Sequence, residues 1–328
     1  MIPKTIFREF KSKHPLLSVH SLTLVLAFSL WIHAASAQTQ TASIMPLPER
    51  ITQELGLIHA AEQEHLPDVQ LGYLWARLAS DYRDKADFSR SEDAYNRSLR
   101  LLKAAPEAKA DYATLLDKLG NLYLIYGHKD EAESCMKKSL AIRQELGNVT
   151  NIGLSHEHLA EVALARHKFK DAERAASEAY QILVTAKGSD TTGLAAVLVT
   201  LTYARCEQNK CAEGLQSAEQ ALSIVRTQYQ PDSLPVGHTL MALGFAKWKM
   251  GGNQDAEKAM LQGIQIIRTL NAPGDPNTRY AFMEYRDYLK AMHRSLDVKQ
   301  IEEQLATSTH QPCASCSVSV YSLSNAMR

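Results

Sequence analysis

Strand signals are missing from this sequence: nowhere does a Val-, Ile- or Tyr-rich run alternate with period two over several residues. That leaves an all-α chain. An excess of one charge sign is missing too. Lys+Arg and Asp+Glu both number 36, so the chain carries no field that would draw nucleic acid or an anionic membrane surface. Cysteine is scarce: five residues in 328 are too few for a disulfide-built fold. Being odd in number, they leave at least one thiol unpaired within a monomer if the chain is exported. Catalytic signatures are absent as well, with no Gly-rich phosphate loop, no Gly-x-Ser-x-Gly elbow and no His-Glu-x-x-His. Nucleotide binding, serine hydrolysis and zinc proteolysis are therefore unsupported, and the expectation is a protein without cofactor or catalytic centre.

Only one stretch is apolar enough to matter to a membrane, and it lies at the N-terminus. Lys4, Arg8, Lys11 and Lys13 precede the run Leu16 to Ile32, and Ala35-Ser36-Ala37 offers small residues to a signal peptidase. The pattern predicts a signal peptide over 1–37, a linker over 38–47, and a periplasmic or secreted mature protein. An uncleaved anchor is the other reading. Cleavage removes four basic residues and Glu9, leaving a net charge of about −3. Asn148-Val149-Thr150 is a glycosylation acceptor only in a eukaryotic secretory pathway.

What the sequence does have is a repeat. Leu78, Leu119, Leu159, Leu201 and Leu243 are 41, 40, 42 and 42 residues apart, a period that means stacked units. A small or short residue follows each leucine except Leu201, where Thr202 stands, and a second small one comes thirteen residues after the leucine: Ser91, Ala132, Ala172, Gly214, Ala256. Two small positions let two helices approach closely. Ala132, Met136, Ser139 and Leu140 then fall at i, i+4, i+7 and i+8, one face of a second helix. Gly127, Asn209 and Gly251 mark turns inside hairpins, and Pro, Gly and capping residues mark the joints between them.

Trp75, Leu78, Ala79, Tyr82, Ser91, Tyr95 and Ser98, and again Leu116, Leu119, Gly120, Tyr123, Gly127, Ala132 and Ser139, resemble the tetratricopeptide-repeat motif. The 40–42-residue period and joints such as AIRQELGN and IIRTLNAPGDPN are similar to the kinesin-light-chain type of repeat. The resemblance implies a right-handed superhelical α-solenoid over 48–306, with hairpins near 70–105, 110–147, 151–187, 192–229, 234–271 and a degenerate one over 277–306. Residues 48–65 and 295–306 are the expected caps, since end units need polar outer faces. The Ser- and Cys-bearing tail 307–328 lacks a helical stripe and is expected to be disordered. His156, Arg205 and Lys247 depart from the motif, which predicts loose middle joints.

The family lines its inner face with the first helix of each hairpin. The resemblance therefore implies a concave binding face at Asn121, Glu157, Glu161, Tyr203, Met241, Phe245 and Trp248, open to a protein or peptide partner. Its carboxylate-gripping members use Lys, Asn and Arg on three successive inner helices; only Asn121 fits here, so that activity does not carry over. His156-Glu157-His158 is no zinc site, because residues two apart on a helix point to different sides. Cys206 with Cys211, and Cys313 with Cys316, are disulfide candidates. The function expected is a scaffold or assembly factor acting through protein–protein interaction. The alternatives are a thiol-disulfide active protein using Cys313-Ala-Ser-Cys316, or a structural spacer.

Overall fold

The computed structural model describes residues 46–186, 191–271 and 275–307. The predicted signal peptide, most of the linker, and Cys313 and Cys316 lie outside them. The described residues form thirteen α-helices and one 3-10 turn, with no strand among them. Two compact units divide at residue 53, inside the first helix. The described part of the first unit is 46–53, the opening turns of α1 (Leu47–Gln63). The second unit holds six helical hairpins: α2 (Asp68–Asp84) with α3 (Phe88–Leu102), α4 (Lys109–Tyr126) with α5 (Lys129–Leu146), and α6 (Val149–Ala165) with α7 (Phe169–Thr185). They continue as α8 (Thr191–Cys206) with α9 (Cys211–Gln228), α10 (Leu234–Lys249) with α11 (Asn253–Leu270), and α12 (Pro276–Ala291) with α13 (Ser295–Thr307).

All six hairpins turn in the same way. One residue at each turn is left-handed: Ala86, Gly127, His167, Asn209, Gly251 and His293 have φ of 57° or more, and they sit 41, 40, 42, 42 and 42 residues apart. In each case that residue's N–H reaches back three residues, and the next N–H reaches back five, as Asp87 does to the Tyr82 carbonyl and Arg294 to the Leu289 carbonyl. This pair of bonds satisfies carbonyls that a helix end leaves orphaned. Glycine occupies the turn only at Gly127 and Gly251, so four of the six carry the steric cost of a Cβ in that conformation.

The two small columns are where the helices of a hairpin touch. The Ser91 hydroxyl donates to the Ala79 carbonyl at 2.8 Å, a bond that crosses from α3 to α2. In the fifth hairpin, a Cβ on Gly244 would stand 2.5 Å from Met260 Cγ and 3.0 Å from the Ala256 carbonyl oxygen. No side chain fits at that crossing. Around it the leucine column is buried at Leu78, Leu119, Leu201 and Leu243 and half-buried at Leu159, each buried leucine contributing about 1.5–3 kcal/mol through removal from water.

The middle joints expected to be loose are instead tied by charge. Arg205 donates to Ser217 Oγ at 2.9 Å and pairs with Glu173 of the preceding hairpin at 3.4 Å. His156 lies 3.2 Å from Glu178. Both side chains reach across to a neighbouring second helix, and the Arg205 stem fills space an aromatic ring would take. At the front, Glu54 of α1 pairs with Arg77 of α2 at 2.8 Å, and Ile58 and Ala61 are buried beneath.

Candidate functional site

The inner helices α4, α6, α8 and α10 carry the seven sequence-predicted residues, but do not leave them open. Asn121, Glu157, Glu161, Met241 and Phe245 are buried, and Tyr203 and Trp248 are half-buried. The physical reason is the closeness of successive inner helices. The residue two before each reference leucine meets the residue one before it on the next inner helix. So Asp117 Oδ1 faces His158 Nδ1 at 3.4 Å, and Thr200 Oγ1 donates to Glu157 Oε1 at 3.3 Å.

In the first half of the solenoid this interior is ionic. Arg143, from α5, reaches Asp117 at 2.5 Å and donates to Ser155 Oγ at 2.9 Å, with both charges buried. Glu157 shares a side-chain hydrogen bond with Glu161, and burial pushes its carboxyl up against the pull of the His158 ring. His156 and His158 point to different partners, Glu178 and Asp117. No cluster of three or more His, Cys, Asp or Glu among the described residues is placed to hold a metal ion.

In the second half the interior is aromatic. Tyr203 and Phe245 have ring centroids 4.9 Å apart, Phe245 and Trp248 6.0 Å, and Trp248 and Tyr288 5.9 Å. The Tyr203 hydroxyl donates to Glu284 at 3.1 Å, a tie that skips the whole fifth hairpin. Burial pushes the Glu284 carboxyl up to about 8. These rings are core, and the curvature of the array is what covers them. Cys206, at the end of α8, is bonded to Cys211 at the start of α9, with Cα atoms 4.2 Å apart. Cys135 is a free, buried thiol, raised to about 11 by that burial.

One of several clefts among the described residues, of ≈ 200 Å³, lies where the early hairpins meet the late ones. Arg83, Asp84, Phe88, Asn121 and Ile125 form one wall; Leu234, Asn271, Asp275, Pro276 and Asn277 form the other. Asn121 is the one sequence-predicted residue that lines it. The far wall went unread because Gly-Asp-Pro-Asn at the last joint carries a plain helix-cap signal, and Asp275 does cap α12 by accepting the Asn277 and Thr278 N–H groups at 2.8 and 3.2 Å. That the same cap faces Asn121, more than 150 residues earlier, depends on curvature accumulated over four hairpins.

A family model for the tetratricopeptide repeat matches residues 71–145, the first two hairpins. No curated protein matches the sequence. Among solved structures, BtubC (BKLC) from P. vanneervenii is 21% identical with a TM-score of 0.55, over 69% of this chain and 92% of that one. The apo form of RapI is 16% identical with a TM-score of 0.66, over 86% and 96%. The Rap conjugation gene regulator of plasmid pLS20, in complex with the Phr* peptide, is 16% identical with a TM-score of 0.58, over 71% and 62%. At these identities the likeness is one of fold. With the motif matched in the first two hairpins and a turn and period that recur through six, the chain is similar to tetratricopeptide-repeat proteins.

Proposed function

We propose that this chain is a non-enzymatic scaffold or assembly factor that binds a protein or peptide segment at the mouth of its inner face. The observation that carries the reading is the cleft between the early and late hairpins, where Asn121 is buried with a carbonyl oxygen that has no hydrogen-bond partner. A buried acceptor without a donor costs on the order of 1–3 kcal/mol, and a ligand that supplies the donor removes that cost. Solved neighbours of like fold include Rap proteins in complex with a competence and sporulation factor and with the Phr* peptide, which supports a peptide-sized occupant.

The same proposal places the protein outside the cytoplasm, after removal of residues 1–37. The charged and apolar pattern of that segment supports this, and the bond between Cys206 and Cys211 suits an oxidising compartment. No helix among the described residues is long and apolar enough to cross a membrane. A photo-reactive amino acid at Ile125 or Asn277, beside the cleft, should cross-link to a partner segment, while one at the exposed Leu261 of α11 should not. The reverse distribution of cross-links contradicts the reading.

A further inference from the structure

The cleft is built of acceptors, and its charge says what it takes. Arg83 is already engaged, donating Nε and Nη2 to Asp84 Oδ1 at 3.1 and 2.7 Å, so it adds no net positive charge to the wall it shares with Asp84. On the facing wall Asp275 is held by burial and by its backbone cap, and its carboxyl is pushed up chiefly by burial, with Asp84 adding to the push. One unbalanced carboxylate, that of Asp275, thus shares a small space with the neutralised Arg83–Asp84 pair. The positive end of α12 would draw an anion there, but its first N–H groups are already taken by Asp275 itself. Asn271 Nδ2 also donates to Asp275 Oδ1, at 2.9 Å. The buried Asn121 Oδ1, with no partner, completes the set.

From this arrangement we infer that the cleft is a subsite for a cationic, hydrogen-bond-donating group, the guanidinium or ammonium of a basic side chain on the bound protein segment. A planar guanidinium presents five N–H donors, enough to meet Asn121 Oδ1 and the Asp275 carboxylate at once. The ≈ 200 Å³ of space suits one such side chain and not a folded domain. Phe88 and Ile125 supply an apolar wall along which the methylene stem lies, as long basic side chains prefer. The inference rests on the binding reading above and sharpens it to the chemistry of one contact.

The test uses the intact mature protein, labelled for side-chain amide NMR, and three probes: N-acetyl-arginine N-methylamide, its lysine counterpart, and the uncharged citrulline counterpart. The arginine probe should shift the Asn121 side-chain amide saturably, with a Kd on the order of 1 mM, as expected of a single small contact. Citrulline should bind more weakly. Asp275→Asn keeps the helix cap and removes a charge, and Asp84→Asn removes the one that neutralises Arg83; each should weaken the arginine probe about two- to fivefold, the range of one partly exposed charge contact. Lysine binding as tightly as arginine assigns the site to point charge and still supports the inference. Citrulline matching arginine overturns it, as does the absence of any saturable shift at Asn121. If cross-linking at Ile125 and Asn277 still captures a partner segment in that case, the scaffold reading stands and only the cation subsite falls.

Discussion

The two halves of the interior are built on one backbone period and opposite chemistry. Hairpins two to four close around Asp117, Arg143, Glu157, His158 and Glu161, whereas hairpins four to six close around Tyr203, Phe245, Trp248, Tyr285 and Tyr288. Equivalent columns thus hold ions at one end and rings at the other. A repeat fold needs only that neighbours be filled and satisfied. The ionic half depends on having every partner present, because a buried charge without its counter-ion is worse than none. The aromatic half depends on volume, and a lost ring leaves a hole its neighbours only partly close.

That contrast can be broken by substitution. Arg143→Ala should have the largest effect, about 3–5 kcal/mol, because it strands the Asp117 carboxylate in the interior. The double variant Arg143→Met with Asp117→Leu should recover most of that loss in thermal unfolding, and failure to recover would show that the ionic half is not held by this pair. Phe245→Ala should cost about 3 kcal/mol in the aromatic half. No charge-for-apolar exchange nearby should rescue it, since what is missing is volume.

The Tyr203–Glu284 tie sharpens the comparison through pH. Glu284 has a folded pKa of about 8 against 4.5 when unfolded, so between those values the folded state holds a proton that the unfolded state has released. Its contribution is fully present below pH 4.5 and is lost as pH rises through about 8. Glu157 shifts in the same direction. Unfolding midpoints measured from pH 5 to 9 should therefore fall with pH, and Glu284→Gln should flatten that slope without abolishing it. Tyr203→Phe should cost about 1–2 kcal/mol by removing the donor to Glu284. The smallest effect expected is a gain: Ala86→Gly relieves a left-handed alanine and should stabilise by about 0.5–1 kcal/mol.

Much of this molecule is legible from residue spacing alone. The leucine column and the two small columns repeat because helices crossing at close range need those sizes, so Leu78 with Ala79 and Ser91 announces a hairpin. Tyr203 near Phe245 follows from one period of translation, and their centroids are 4.9 Å apart. The turns were half-legible: Gly127, Asn209 and Gly251 read as breakers, while Ala86, His167 and His293 hold the same conformation with residues that give no such signal. The exposure of the inner face was not legible. It depends on how far each hairpin rotates on the last, which the contacts of Tyr203 with Glu284 set across 81 residues. The same rotation brings Asn271, Asp275 and Asn277 over Asn121, which no local pattern encodes.

The closure of the early hairpins on the late ones is the claim on which the cleft depends, and a single distance measurement tests it. With Cys135→Ala, Cys313→Ser and Cys316→Ser to remove the other thiols outside the Cys206–Cys211 bond, Asp84→Cys and Asn277→Cys place one thiol on each wall. A short bis-maleimide reagent at high dilution should then join the two positions within one chain, detected as a cross-linked peptide by mass spectrometry. Efficient single labelling of both thiols with no intramolecular link would contradict the closure and leave the solenoid open.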